Sequence, residues 1–467
     1  NNDIVFASHA ERFSGVKNNA HLDQALVDYA LRFGEPNKIY WYEKPVLKTI
    51  RQVRAGQGLR LQENNIKQYL SQFGISAPDV YREHHRSHVA GSYYTSPFRS
   101  AAIVCIDAIG EWQTLSIWKG EGRDLIELFS QNYPHSVGLW YSAMTQRVGL
   151  KPNEDEYILM GMAAYGDPDR LREDIKHSFF KSFPTVDNPA VKLKHNLHRG
   201  CLWWREDLSS EQDLFDIAAA TQAVYEELFD SLLHSVKSFM PQEQNLVLTG
   251  GCALNCAANQ TAYRYFNQVW IMPNPGDAGN ALGSILEDFT EWPGPYLGYE
   301  IPGKYPVREL LEELESTGIV GVANGKAEYG PRALGNRSLL ADPRGSNIKD
   351  RVNEIKHRQK FRPFAPAILE EHAADYFEGT VGPYMQFTAR CKYPHKYPAI
   401  VHKDGTSRVQ TVGKNDNPGF RKLLEEWYAR TGCPMLLNTS LNIKGKPMVN
   451  TEKDARAFEN MYGVKVW

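Results

Sequence analysis

The sequence predicts an α/β protein of two domains, and three observations predict it. Short apolar, β-branched runs at residues 101–106, 245–249 and 268–272 have the length and composition of buried strands. Residues 213–239 and 307–316 carry helical periodicity, and strands interleaved with helices indicate α/β layers. Proline and glycine concentrate in residues 291–305, where they break regular structure and mark a boundary. A chain of 467 residues exceeds what one hydrophobic core organises, so residues 1–300 and 301–467 are read as separate domains.

Composition narrows the class. The six cysteines (Cys105, Cys201, Cys252, Cys256, Cys391 and Cys433) form no C-x-x-C pair, which argues against a disulfide framework or a thiolate zinc site and favours a reducing, cytoplasmic setting. Mean hydropathy is −0.48 and no run of eighteen apolar residues occurs, so no membrane partner is expected. A formal charge of −2 supplies no general attraction to nucleic acid. Lys48, Arg51, Arg54 and Arg60 cluster locally, most simply as a solvated helix face, otherwise as a basic patch. The chain opens Asn-Asn-Asp, which leaves room for an upstream segment.

The first half supplies metal-ligand chemistry. In Glu83-His84-His85-Arg86-Ser87-His88, His84 and His88 fall at i, i+4, on one face of a helix, with His85 pointing elsewhere. Asp107 ends the first apolar run, at a strand mouth where α/β sheets bind ligands; it also suits a turn or helix cap. Asp277, in Pro273-Asn-Pro-Gly-Asp-Ala-Gly279, admits the same two readings. Two histidines and two aspartates suit a divalent transition metal such as Fe or Mn, with Zn also compatible. After the strand 245–248, Gly250 and Gly251 open a turn whose backbone N–H groups can approach a phosphate closely. The turn is neither a Walker A loop nor a three-glycine dinucleotide fingerprint.

The second half is rich in cations set among glycine, proline and aromatic residues. Glu328-Tyr-Gly-Pro-Arg-Ala-Leu-Gly-Asn-Arg-Ser338 precedes Lys356-His-Arg-Gln-Lys-Phe-Arg362-Pro-Phe-Ala-Pro366. Guanidinium forks and a lysine charge in turn-rich sequence fit an anion pocket, against the alternative of a solvated surface. Asp404-Gly-Thr-Ser-Arg408-Val-Gln and Leu437-Asn438-Thr-Ser440-Leu-Asn442 add an arginine and short polar donors that also suit turns and caps.

Taken in order, these motifs, with Ser-Tyr-Tyr-Thr-Ser-Pro-Phe98 and Leu159-Met-Gly-Met-Ala163, resemble the carbamoyltransferases of antibiotic and nodulation-factor biosynthesis, of the tobramycin carbamoyltransferase type. The resemblance runs from about Ile4 to the end. It implies an actin-like, sugar-kinase-like (ASKHA) first domain and a YrdC-like second domain. By the same resemblance His84, His88, Asp107 and Asp277 hold the metal, Fe by preference, and Gly250, Gly251 and Asn255 contact the adenylate. Lys356, Arg362, Arg408 and Ser440 would hold carbamoyl phosphate and the forming adenylate, supported by Arg332 and Asn438, with Arg358 in reserve. The sequence departs from the family pattern in two places. A strand and histidine-bearing turn are expected upstream of Ile4, and Ile158 with Glu156 nearby occupies a stretch where the family commonly has a lysine.

The activity so implied is an O-carbamoyltransferase that uses ATP and the co-substrate carbamoyl phosphate. Its acceptor is a natural-product or sugar hydroxyl, or a hydroxymethylated base in DNA. A metal hydrolase built on His84 and His88 is the rival enzyme, although His-Glu-x-x-His is absent. A nucleotide-sensing module without turnover is the rival binder. Oligomeric state is not readable from the sequence.

Overall fold

The computed structural model describes residues 3–54, 56, 58, 64–345, 347–359 and 361–467. It divides into two compact units, one comprising Asp3 with Gly34–Trp292 and the other Ile4–Phe33 with Pro293–Trp467. The sequence expectation put all of residues 1–300 in the first domain. Residues 4–33 belong instead with the second unit, because Tyr29 is buried there and rings pack together: the Tyr29 ring lies 4.8 Å from Tyr299, and Phe13 lies 6.1 Å from the same ring. Backbone bonds tie them in, Ala7 N donating to Leu297 O at 3.0 Å.

The first unit is built on a mixed five-stranded sheet: β1 (Ser100–Gly110), β2 (Gln113–Glu121), β3 (Asp124–Asn132), β4 (Asn245–Thr249) and β5 (Gln268–Ile271). Its spatial order is β3-β2-β1-β4-β5, with β1 to β3 antiparallel and β1, β4 and β5 parallel. Residues 101–105 of β1 are fully buried, as a strand covered on both faces requires. Four helices frame the site: α1 (His84–Tyr93), α2 (Val137–Arg147), α3 (Glu211–Phe239) and α4 (Asn280–Ile285). Ser210 and Asp213 form a capping box that starts α3, satisfying two of the N–H groups a helix start leaves open. The α/β expectation and its strand and helix assignments hold here.

Two glycine contacts set the geometry around β1. Gly283 of α4 lies against α1 so closely that a Cβ would meet Ser87 O at 1.7 Å, and Gly91 faces it with a Cβ position 3.1 Å from Gly283 Cα. These helices therefore cross backbone to backbone. At the end of β4, Gly250 has φ +85°, and a Cβ there would meet Ile106 O at 2.3 Å, a place only glycine fits.

The second unit has its own mixed sheet, ordered β6-β7-β10-β8-β9: β6 (Ile319–Ala323), β7 (Arg337–Ala341), β8 (Ala365–Leu369), β9 (Gln410–Val412) and β10 (Met435–Ser440). Side chains alternate between two cores. Leu339, Ile368, Met435 and Leu437 join one; Leu340, Ala367, Leu369 and Leu436 join the other. Helices α5 (Val307–Thr317) and α7 (Pro418–Thr431) cover the second face through Leu310, Leu314, Phe420 and Trp427, while α6 (Ile348–Lys356) and α8 (Glu452–Tyr462) cover the first through Val352 and Phe458.

All six cysteines are free. Among the described residues no helix is long and apolar enough to cross a membrane. The cation cluster is a solvated face only in part, with Arg54 exposed. Arg51 is buried, Lys48 pairs with Glu43 at 2.6 Å and Arg54 lies over the Trp112 ring, while Arg60 lies outside the described residues.

Candidate metal centre and anion pocket

In the first unit α1 carries His84 and His88 one turn apart, and their Nε2 atoms stand 3.1 Å from each other. His84 Nε2 is 3.2 Å from Asp107 Oδ2 on β1 and 3.2 Å from Asp277 Oδ1, in the turn Asp277–Gly279 before α4. His88 Nε2 is 3.5 Å and 3.3 Å from the same two oxygens. The structure thus brings all four sequence-predicted ligands together, with one ligand atom of each inside 4.8 Å. His84, His88 and Asp107 are buried, whereas the Asp277 side chain is 60 % exposed, so the cluster opens on that side.

The charges are strongly interdependent. Burial works against a charged His84, but Asp277, then Asp107 and Glu43, hold its imidazole well above the usual range. Burial likewise opposes ionisation of Asp107, and His84 and His88 hold that carboxyl well below its usual range. His85, on the opposite side of α1, bonds Ser116 through Nδ1 at 2.7 Å, and burial pushes it down to about 3. It is a neutral packing residue, not a ligand.

Sequence reasoning missed the support around this cluster. Glu43 Oε1 stands 3.5 Å from His84 Nδ1 and is itself held by Lys48 at 2.6 Å. A carboxylate on the Nδ1 side favours a proton there, so that when His84 gives up one proton to a cation the Nε2 lone pair faces the cluster, as metal-binding histidines require. Asn280, fully buried, sits 3.3 Å from His84 Nε2. Nothing near Glu43 in the sequence marks it. Asn280 follows Asp277 by three residues, a spacing that offered a signal. Two imidazole nitrogens and two carboxylates converging in a buried wall with one open side form a donor set that fits Fe, Mn or Zn.

The glycine turn touches the same place. Gly251 N donates to Asp107 Oδ1 at 3.3 Å, and Gly250 N donates to Pro275 O at 2.9 Å, so both N–H groups tie the turn to the strand and the loop that carry Asp107 and Asp277. Asn255 exchanges two amide bonds with Gln222 of α3, at 3.0 and 3.1 Å, and Tyr141 OH donates to Gln222 Oε1 at 2.7 Å. Glu156, in the departing stretch, accepts from Ser142 Oγ at 2.5 Å.

In the second unit Lys356, the last residue of α6, reaches the end of β10. Its Nζ donates to Ser440 O at 2.5 Å and Ser440 Oγ at 3.2 Å, and also to Asn442 Oδ1. Ser440 Oγ donates to Asn442 Oδ1 at 2.8 Å. Burial, then the nearby Arg358 and Arg362, hold the Lys356 amine well below its usual range. Arg358 is braced by Asn353 Oδ1 at 2.9 Å and by the Phe364 ring at 3.9 Å. Lys360 lies outside the described residues.

Asn438 acts one step back. Its Nδ2 donates to Ala333 O at 3.0 Å and Gln410 Oε1 at 2.7 Å, anchoring the loop that bears half-buried Arg332. That loop is also gathered by buried Glu328, whose Oε1 accepts from the backbone of Leu334, Asn336 and Arg337 at 2.8 to 3.2 Å. Arg408 is half-buried two residues before β9; among the described residues no hydrogen bond joins it to Lys356 or Ser440. The cluster the structure assembles is therefore Lys356, Arg358, Arg362 and Ser440, with Asn442 as the member sequence reasoning left unassigned.

Comparison with known proteins decides the family. Residues 37–286 match the carbamoyltransferase N-terminus and residues 311–466 match the carbamoyltransferase C-terminus. The chain belongs to the carbamoyltransferase family. Carbamoyltransferases are transferases, and the His84, His88, Asp107 and Asp277 cluster falls in the N-terminal match, the Lys356 cluster in the C-terminal one. Nodulation protein U of Rhizobium fredii is 38 % identical over 96 % of this chain and 83 % of its own. The uncharacterized protein sll1178 of Synechocystis is 34 % identical over 97 % and 90 %. The 3'-hydroxymethylcephem-O-carbamoyltransferase of Amycolatopsis lactamdurans is 29 % identical over 99 % and 93 %.

Proposed function

We propose that this carbamoyltransferase is an O-carbamoyltransferase that activates a carbamoyl group with ATP in its second unit and transfers it to an acceptor hydroxyl in its first. The mixed α/β architecture of each unit supports the actin-like and YrdC-like reading. In the first step carbamoyl phosphate is cleaved by water to carbamate and inorganic phosphate. A carbamate oxygen then bonds to the α-phosphorus of ATP and pyrophosphate leaves. Lys356, Arg358 and Arg362 supply the cationic charge this chemistry needs around its anions, and Ser440 and Asn442 hold the lysine in place.

In the second step the acceptor oxygen bonds to the carbamoyl carbon and AMP departs. His84, His88, Asp107 and Asp277 would hold the metal, which supplies Lewis acidity toward the carbamoyl or phosphoryl oxygen. Glu43 keeps His84 oriented, and Asp277, on the exposed side, faces the direction from which substrate arrives.

The single observation that carries this reading is the convergence of the four ligands in the part of the chain that matches the carbamoyltransferase N-terminus. The cephem relative is named for carbamoyl transfer to a hydroxymethyl group, which supports a small hydroxyl-bearing acceptor. The test is pyrophosphate release that requires both ATP and carbamoyl phosphate, followed by mass analysis of candidate acceptors. Tight ATP binding without pyrophosphate release would indicate a sensing module. A carbamate on hydroxymethylated DNA, lost steeply as salt rises, would move the acceptor from small molecule to polymer.

A further inference from the structure

Asn280 is completely buried, and among the described residues its Oδ1 has no hydrogen-bond partner. An unpaired buried amide oxygen is costly, of the order of 1–3 kcal/mol, so its position calls for a partner that the protein itself does not supply. Its other amide atom, Nδ2, stands 3.3 Å from His84 Nε2, the nitrogen on which Asp107, Asp277 and His88 also converge at 3.1 to 3.2 Å. The oxygen and nitrogen of an asparagine amide are interchangeable by rotation about its terminal torsion. Turned over, Oδ1 takes the place beside His84 Nε2, among the other ligand atoms, where an ion would partner it, while the amide N–H groups turn to the side that Oδ1 now faces.

Which way the amide turns depends on His84. Without an ion the amide faces His84 Nε2, whose role as donor or acceptor follows its tautomer, and only the tautomer with its proton on Nδ1, the side of Glu43, leaves Nε2 a lone pair. With a cation at the centre that lone pair is committed to the ion, and an amide N–H pointing at the same ion is repelled. The oxygen end is attracted. Ligand atoms on bonds of about 2.1 Å stand about 3 Å apart when adjacent around one ion, which is the spacing of Asn280 from His84. The backbone also places the residue well: Asn280 is the first residue of α4, three after Asp277, and the Gly91–Gly283 crossing presses that helix onto α1.

We infer that Asn280 Oδ1 is a fifth protein ligand of the metal centre, giving a site of two nitrogens and three oxygens. This rests on the four-ligand reading and extends it. Zinc closes readily with four ligands, whereas a neutral carbonyl-type oxygen added to two carboxylates suits Fe(II) or Mn(II). Asn280 is thus the residue that tilts the site away from zinc.

The test is titration of the metal-free full chain with Mn(II) and with Zn(II), read by calorimetry and by the Mn(II) electron paramagnetic resonance spectrum. Asn280→Ala should weaken Mn(II) binding by about tenfold or more, leave Zn(II) binding within about threefold, and change the Mn(II) spectrum. Asn280→Asp, which offers an oxygen and no N–H, should bind Mn(II) at least as tightly as the wild type. If Asn280 only donates to His84, the Asp variant will lose affinity, which overturns the inference; so will wild-type Mn(II) affinity in folded Asn280→Ala. Should Asn280→Ala fail to fold, the Asp variant decides alone. His84→Ala is the separate control: if it keeps wild-type metal affinity, the four-ligand reading itself fails.

Discussion

Gly110 lies against the edge of the His84 imidazole, so that a Cβ on Gly110 would meet His84 Cδ2 at 2.3 Å and Nε2 at 3.0 Å. The strand that carries Asp107 also shapes the seat of its partner histidine. Gly110→Ala should push the ring off its ligand position at a cost of about 1–3 kcal/mol from overpacking. Metal content, measured per folded chain, should fall at least tenfold while far-ultraviolet circular dichroism stays unchanged. Full metal occupancy in this variant would mean that His84 tolerates displacement.

The α1–α4 crossing makes a sharper prediction. Gly283→Ala places a methyl where Ser87 O stands 1.7 Å away, with backbone on both sides and no flexible side chain to yield. Stability should drop by about 3 kcal/mol or more, and metal binding should drop with it, since Asp277 and Asn280 move together. An unchanged melting temperature would refute the close packing.

His84→Ala and Asp277→Ala should abolish transfer to the acceptor yet leave pyrophosphate release dependent on carbamoyl phosphate largely intact. The two activities, assayed on the same folded preparation, separate the steps. Equal loss of both would contradict a division between units.

Lys356 carries a pH signature. Its folded pKa lies below the value in the unfolded chain, so between the two the unfolded state binds the additional proton and stability rises with pH. The difference in melting temperature between wild type and Lys356→Met should therefore shift in favour of the wild type from neutral pH toward the usual lysine range. Comparing the two cancels the titration of other groups. A difference that stays flat with pH would show that the amine is not perturbed.

Arg362→Ala should block adenylate formation, at about 1.5–3 kcal/mol for each charge-assisted bond lost. Chemically prepared carbamoyl adenylate should restore part of the transfer, because the first unit is untouched. No rescue in a variant that retains its metal would contradict the proposed split of the reaction.

The parts of this molecule that depend on local pattern were readable in the sequence. The runs 245–249 and 268–272 became strands within a residue of their expected ends, and the His84/His88 spacing alone put two imidazoles on one face. What escaped depends on contacts across long stretches of chain. Glu43 and His84 are brought together by tertiary packing, with no shared periodicity to announce them. Arg51 reads as a surface charge from composition, yet packing buries it. Asn438 reads as a ligand contact; both hydrogens of its amide go to Ala333 and Gln410 while its Oδ1 has no partner among the described residues, a network visible only when β10 lies beside β7 and β8.

The membership of Ile4–Phe33 in the second unit has a consequence for synthesis. About 260 residues, those of Gly34–Trp292, are made between this segment and Pro293, the first residue of its partner stretch. At about 5–20 residues per second, that is a delay on the order of 10–50 s on the ribosome. Throughout it Phe13 and Tyr29 lack the Tyr299 ring against which they finally pack. Residues 293–467 expressed without this segment should aggregate, and supplying 4–33 as a separate peptide should restore their solubility.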